Sequence, residues 1–111
     1  MGTIDLTYLN SVTDGDSTLV KELIDIFKAQ VPEYIEEFNA AMQTQNADVI
    51  GKIAHKAKSS VAIMGMTQLA EELKELENKG REGNFDAKIY QNFIDSFEKQ
   101  CALAIEELEA L

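Results

Sequence analysis

Asn46-Ala47-Asp48-Val49-Ile50-Gly51-Lys52-Ile53-Ala54-His55-Lys56-Ala57-Lys58-Ser59-Ser60-Val61-Ala62-Ile63-Met64-Gly65 decides how this chain folds. At about 100° per residue, Ile50, Ile53, Ala54, Ala57, Val61 and Met64 fall on one face of a helix. Asn46 is a good N-cap for it, and Gly65 terminates it, because glycine tolerates the left-handed conformation at a helix end. His55, the only histidine in the chain, lies roughly 160° from the centre of that apolar stripe and is therefore expected in solvent. Its own row, Gly51, His55, Ser59 and Ala62, has only small neighbours, and Lys52 and Lys58 flank it three residues to either side. Glycine inside a helix costs ~1 kcal/mol relative to alanine, so Gly51 calls for a reason. An empty row beside an exposed imidazole would let another protein's surface approach the ring.

Working outward, the same periodicity covers most of the chain. A short helix is expected over Leu6 to Val12, ending at the turn Thr13-Asp14-Gly15-Asp16. Asp16 or Ser17 then caps a long helix with Leu19, Leu23, Ile26, Phe27, Tyr34, Ile35, Phe38 and Met42 at helical spacing. Pro32 lies inside that run and should kink or split it. A fourth segment, Thr67 to Lys79, buries Leu69, Leu73 and Leu76 and stops at Gly80. A fifth, from Asp86 to Leu108, buries Ile89, Phe93, Phe97, Cys101 and Leu108, with Thr67 and Asp86 as caps. Four amphipathic helices joined by short turns imply an all-α, antiparallel up-down four-helix bundle with a short additional N-terminal helix across one end. Residues 1–111 form one domain of ordinary size.

Composition narrows the function. Twenty acidic against ten basic residues, a formal net charge of -10, would repel a phosphate backbone, so no nucleic acid is expected as a partner. Lys52, Lys56 and Lys58 cluster around His55 with no acidic residue from Val49 to Gly65, a patch suited to a single anion. The apolar runs fall far short of the ~20 residues that cross a bilayer, so no membrane association is expected. A single cysteine, Cys101, excludes an internal disulfide and fits a reducing compartment. Together with the absence of a secretory leader, this leads to the expectation of a cytoplasmic monomer. One His and one Cys cannot build a zinc site, no calcium loop appears, and no glycine-rich phosphate loop is present.

The residues around His55 resemble the histidine-containing phosphotransfer (HPt) domains of two-component phosphorelays. The family pattern is a His, a Lys three on, a Gly, a Ser, and a Gly ten after the His, followed by Leu and Leu-Glu at helical spacings. Here these are His55, Lys58, Ser60 and Gly65, then Leu69, Leu73 and Leu76-Glu77, while Ser59 stands where the family usually has glycine. The resemblance implies a phosphoryl carrier without an ATP site of its own. His55 would accept a phosphoryl group, on its outer nitrogen, from a sensor histidine kinase or a receiver aspartate and pass it to a response-regulator receiver domain. Lys58 would stabilise the phosphoryl charge, and Gly51, Lys52, Ser59, Ser60 and Ala62 would line the docking face. The chain would need no cofactor, Mg²⁺ belonging to the receiver. The alternative from a different class is an acidic helical bundle acting purely as an interaction or scaffold module, favoured if His55 were buried or bonded into the core.

Overall fold

The computed structural model describes residues 3–111, which form five helices: α1 (Thr7–Val12), α2 (Ser17–Gln43), α3 (Ala47–Ile63), α4 (Thr67–Glu82) and α5 (Ala87–Glu109). Three or four residues join each of the last four to the next, so successive helices run antiparallel. Each packs on its neighbour in sequence and α5 closes on α2, which gives the expected all-helical bundle. Its long dimension, 43 Å, is close to the length of α2 alone at about 1.5 Å per residue.

Local chemistry sets most of the boundaries. The Asp16 carboxylate accepts from the amides of Thr18 and Leu19, Asn46 from that of Val49, and Asp86 from that of Ile89, each satisfying donors that the helix itself cannot. α4 departs from expectation at both ends. Met66, without a side-chain cap, precedes it, and Thr67 is its first helical residue. The helix also passes through Gly80 and stops only before Gly83, whose φ of +77° suits glycine. α2 runs unbroken through Pro32. The cost of proline there, a lost hydrogen bond together with the ring's crowding of the preceding turn, ~3 kcal/mol, is outweighed by tertiary packing of Phe27, Val31, Tyr34 and Phe38, all buried.

The core seams are cleaner than the sequence suggests. On α2 they follow Phe27, Val31, Tyr34, Phe38 and Ala41. Leu19 and Ile26 lie roughly 80–100° round the helix from that line and are exposed. On α5 the seam is Tyr90, Ile94, Phe97, Cys101, Ala104 and Leu108. Ile89 sits about 100° away from it and is exposed, while Phe93 is half-buried on its flank. Phe97 is the aromatic hub, meeting Tyr34 and Phe38 edge-on at centroid distances of 6.3 and 5.5 Å. Burial of Cys101 pushes its thiol up to about 12, which leaves it a packing residue.

The N-terminal segment is strapped over one end of the bundle. The Glu107 carboxylate of α5 accepts from the amides of Thr3 (2.6 Å) and Ile4 (3.2 Å), and the Asp5 amide donates to the Met64 carbonyl at 3.0 Å. Gly65, in the α3–α4 turn, has φ +74°, and any Cβ there would lie 2.0 Å from the Asp5 carbonyl oxygen. Two separate demands therefore fall on Gly65, the left-handed turn and the passage of the strap. α1 is held against the end of α3 by this strap, with Leu9 fully buried. No described helix is long and apolar enough to cross a membrane.

Candidate functional site

α3 is fixed on both sides by polar contacts as well as by its apolar stripe. On the α2 side, Lys56 Nζ meets Glu37 Oε1 at 3.1 Å. Ser60 Oγ donates to Gln30 Oε1 at 2.9 Å and accepts from Tyr34 Oη at 3.0 Å. On the α4 side everything converges on Glu77. Its carboxylate receives Lys58 Nζ on Oε1 at 2.8 Å, and His55 Nδ1 and Arg81 on Oε2 at 2.9 and 2.6 Å.

Glu77 is the centre of the site. It sits on the buried face of α4 at Leu73, Leu76, Glu77, Gly80, a helical i, i+3, i+4, i+7 register, and its side chain is only 5% exposed. A carboxylate buried without partners would be costly; this one has three donors. The Lys58 ammonium lowers its pKa first, burial opposes that, and the His55 and Arg81 contacts lower it further; the net shift is downward. Glu77 is therefore ionised at neutral pH and can only accept.

That fixes the imidazole. With an ionised carboxylate 2.9 Å away, Nδ1 must carry its hydrogen and donate it, and in the neutral ring the lone pair is then on Nε2. The His55 side chain is 63% exposed, and among the described residues Nε2 has no hydrogen-bond partner. A surface depression of about 540 Å³ beside the ring is lined by Lys52, Lys56, Glu77 and Arg81 among others. His55 is thus bonded to a buried residue yet open to solvent, a state the simple choice between buried and exposed did not anticipate.

The remaining residues singled out in the sequence do not share one face. Lys58, 29% exposed, stands beside His55 as expected. Lys52 is exposed and pairs with Asp48 at 3.1 Å. Ser59 and Ala62 are exposed and form one wall of an open cleft of about 840 Å³, whose other wall is Thr7, Tyr8 and Ser11 of α1. Gly51 and Ser60 do not belong to that open face. Ser60 is turned into α2 by its two hydrogen bonds. Gly51 is buried under α4, where a Cβ would lie 3.1 Å from the Glu77 carbonyl oxygen and 3.2 Å from Gly80 Cα. Its lack of a side chain serves helix packing. The local positive field is also smaller than the sequence suggests, since Lys52, Lys56 and Lys58 each face a carboxylate.

Sequence reasoning assigned no role to Glu77 or to Arg81. The signal for Glu77 was present, as a charged residue standing on the apolar stripe of α4 needs a buried partner on a neighbouring helix. Arg81 then follows at i+4.

Comparison with known proteins points the same way. Over 76 residues, 68% of this chain, it is 30% identical to the "Phosphorelay intermediate protein YPD1" of Candida albicans, of which the match spans 41%. The chain thus covers less than half of that relative's length. The crystal structure of histidine-containing phosphotransfer protein B (HptB) from Pseudomonas aeruginosa superposes with a TM-score of 0.86 at 25% identity, over 97% of this chain and 92% of that one. The family model of the Hpt domain matches residues 22–111, a span that takes in α3, α4 and every side chain bonded to Glu77, and the chain belongs to the Hpt domain family.

Proposed function

We propose that this protein is a phosphoryl carrier of a two-component phosphorelay, with Nε2 of His55 as the accepting atom. The observation that carries this reading is the bond from His55 Nδ1 to the ionised, buried Glu77 at 2.9 Å. It leaves the outer nitrogen with a lone pair facing solvent. In the accepting step Nε2 attacks phosphorus and the N–P bond forms while the donor's bond breaks with its electron pair: the P–O bond of a receiver aspartyl phosphate, leaving the carboxylate, or the P–N bond of a kinase phosphohistidine, leaving the neutral imidazole. The phosphorylated ring gains cationic character, which the Glu77 carboxylate offsets through Nδ1–H. Lys58 and Arg81 lie on the same carboxylate and are placed to turn part of their charge towards the phosphoryl oxygens. Transfer onward reverses the step towards a receiver aspartate.

Two expectations belong to this reading. Mg²⁺ acts from the receiver's acidic pocket, and this chain supplies only the imidazole and the cations beside it. The exposed row of Ser59 and Ala62, with Lys52 at its edge, takes the receiver's surface. The test is incubation with a phosphorylated receiver domain, scoring acid-labile, base-stable label on this chain. Wild-type protein should take up label, and His55→Gln should fold normally, because the ring is exposed, and take up none. Label retained in that variant would place the accepting atom elsewhere.

A further inference from the structure

We infer that Gly80, with Gly51 opposite it, is a positioning residue of the His55 site: the side-chain-free crossing of α3 and α4 sets the spacing at which Glu77 reaches His55 and Lys58. Both glycines lie inside helices, where glycine is unfavourable relative to alanine, and both are buried. An ideal Cβ on Gly80 would lie 2.6 Å from Gly51 Cα, 2.6 Å from the Ala47 carbonyl oxygen and 2.8 Å from Gly51 N. These are backbone atoms, so no side-chain rearrangement can relieve the contact. The helices must move apart.

The register makes this crossing matter to the site. His55 is one turn along α3 from Gly51, and Glu77 is one turn back along α4 from Gly80. In an antiparallel pair these turns face each other. The Glu77–His55 and Glu77–Lys58 bonds of 2.9 and 2.8 Å are therefore the next contacts after the glycine crossing. Relief of a 2.6 Å contact to the 3.4 Å of ordinary packing displaces α4 by about 0.8 Å. At Glu77 a shift of that size along the bonds carries both past hydrogen-bond distance. With Glu77 withdrawn, nothing holds the hydrogen on Nδ1, and the ring divides between its two tautomers and becomes free to turn. Gly51 makes the same argument in a weaker form, since its Cβ contacts of 3.1 and 3.2 Å need only a few tenths of an ångström.

The inference deepens the phosphoryl-carrier reading and rests on it for one of two readouts. The first readout needs no phosphoryl chemistry. Imidazole ¹⁵N spectra of His55 at pH 8 should show the Nδ1–H form in the wild type, a tautomer mixture in Gly80→Ala, and a smaller change in Gly51→Ala. The second is the rate of transfer from a phosphorylated receiver, which should fall about tenfold to a hundredfold in Gly80→Ala, the scale of a misplaced reacting group. Ile94→Ala, at a fully buried residue carried by α5 and not by either helix of this crossing, is the control for loss of stability and should keep both the tautomer and the rate. Folded Gly80→Ala with wild-type tautomer overturns the inference, as does an equal tautomer change in Ile94→Ala. If Gly80→Ala does not fold, Gly51→Ala decides, and an unchanged spectrum there refutes the positioning role. A wild-type protein that accepts no phosphoryl group would end the carrier reading, while the ¹⁵N comparison would still decide this one.

Discussion

Replacing Glu77 by glutamine keeps the shape of the site and removes its logic. The carboxylate accepts from three donors at 2.6, 2.8 and 2.9 Å. An amide offers one accepting oxygen and brings two N–H donors of its own. If the amide oxygen faces Lys58, the NH₂ group faces His55 and Arg81. The imidazole must then accept at Nδ1, its hydrogen moves to Nε2, and the outer nitrogen loses its lone pair. If the oxygen faces His55 and Arg81 instead, the NH₂ group meets the Lys58 ammonium and that pair is lost. Either arrangement forfeits about one charge-assisted hydrogen bond at a buried carboxylate, ~1.5–3 kcal/mol. The Arg81 contact adds little, because its side chain is 69% exposed and screened. We expect Glu77→Gln to lower the urea midpoint accordingly with an unchanged m-value, and to slow transfer roughly tenfold to a hundredfold. Wild-type transfer rates in a variant whose ¹⁵N spectrum still shows Nδ1–H would refute the reasoning, since Glu77 would then neither hold the tautomer nor support the charge.

Three further outcomes follow from the same geometry. Glu77 has a folded pKa below its unfolded one, so its stabilisation is fully present above the ordinary carboxylate range and is lost as pH falls through the folded value; acid unfolding below the ordinary carboxylate range should be flatter in Glu77→Gln, as read by circular dichroism. Lys58→Ala should slow transfer by the worth of one charged hydrogen bond, ~1–3 kcal/mol, and lower stability because a buried carboxylate loses a partner, whereas Lys56→Ala, whose partner Glu37 lies away from the ring, should act only through steering that moderate salt removes; equal, salt-sensitive effects would mean that the lysines merely attract the partner. Ala62→Trp, on the exposed row, should leave the melting temperature near wild type and slow transfer from a receiver, and unchanged kinetics would move the docking face elsewhere; Gly51→Leu, by contrast, should damage the fold itself, because Gly51 lies against α4.

Several parts of this protein were legible in one dimension because they depend on local physics. Helix identity follows from the 3.6-residue period, and the caps Asp16, Asn46 and Asp86 follow from side-chain oxygens that reach their own helix's first amides. The outward direction of His55 follows from its angle to Ile50, Ile53, Ala57 and Val61, and the family resemblance from spacings along α3 and α4. These are properties of one helix at a time.

What only the tertiary structure decided is which helices face each other and at what height. Glu77 is twenty-two residues from His55 in the chain, and nothing short of the α3–α4 packing places its carboxylate on Nδ1, with Lys58 and Arg81 on the same two oxygens. The same packing covers Gly51, which the sequence left open to a partner. It also carries α4 through Gly80, because burial against Gly51 and Ala47 outweighs the weak helix preference of glycine. Tyr90 and Ile94 enter the core in place of Ile89 for the same reason, since a bundle selects the line of each helix that meets its neighbours. Propensity and period act within a few residues, whereas the buried charge at Glu77 is tolerable only where donors from the neighbouring helix meet it.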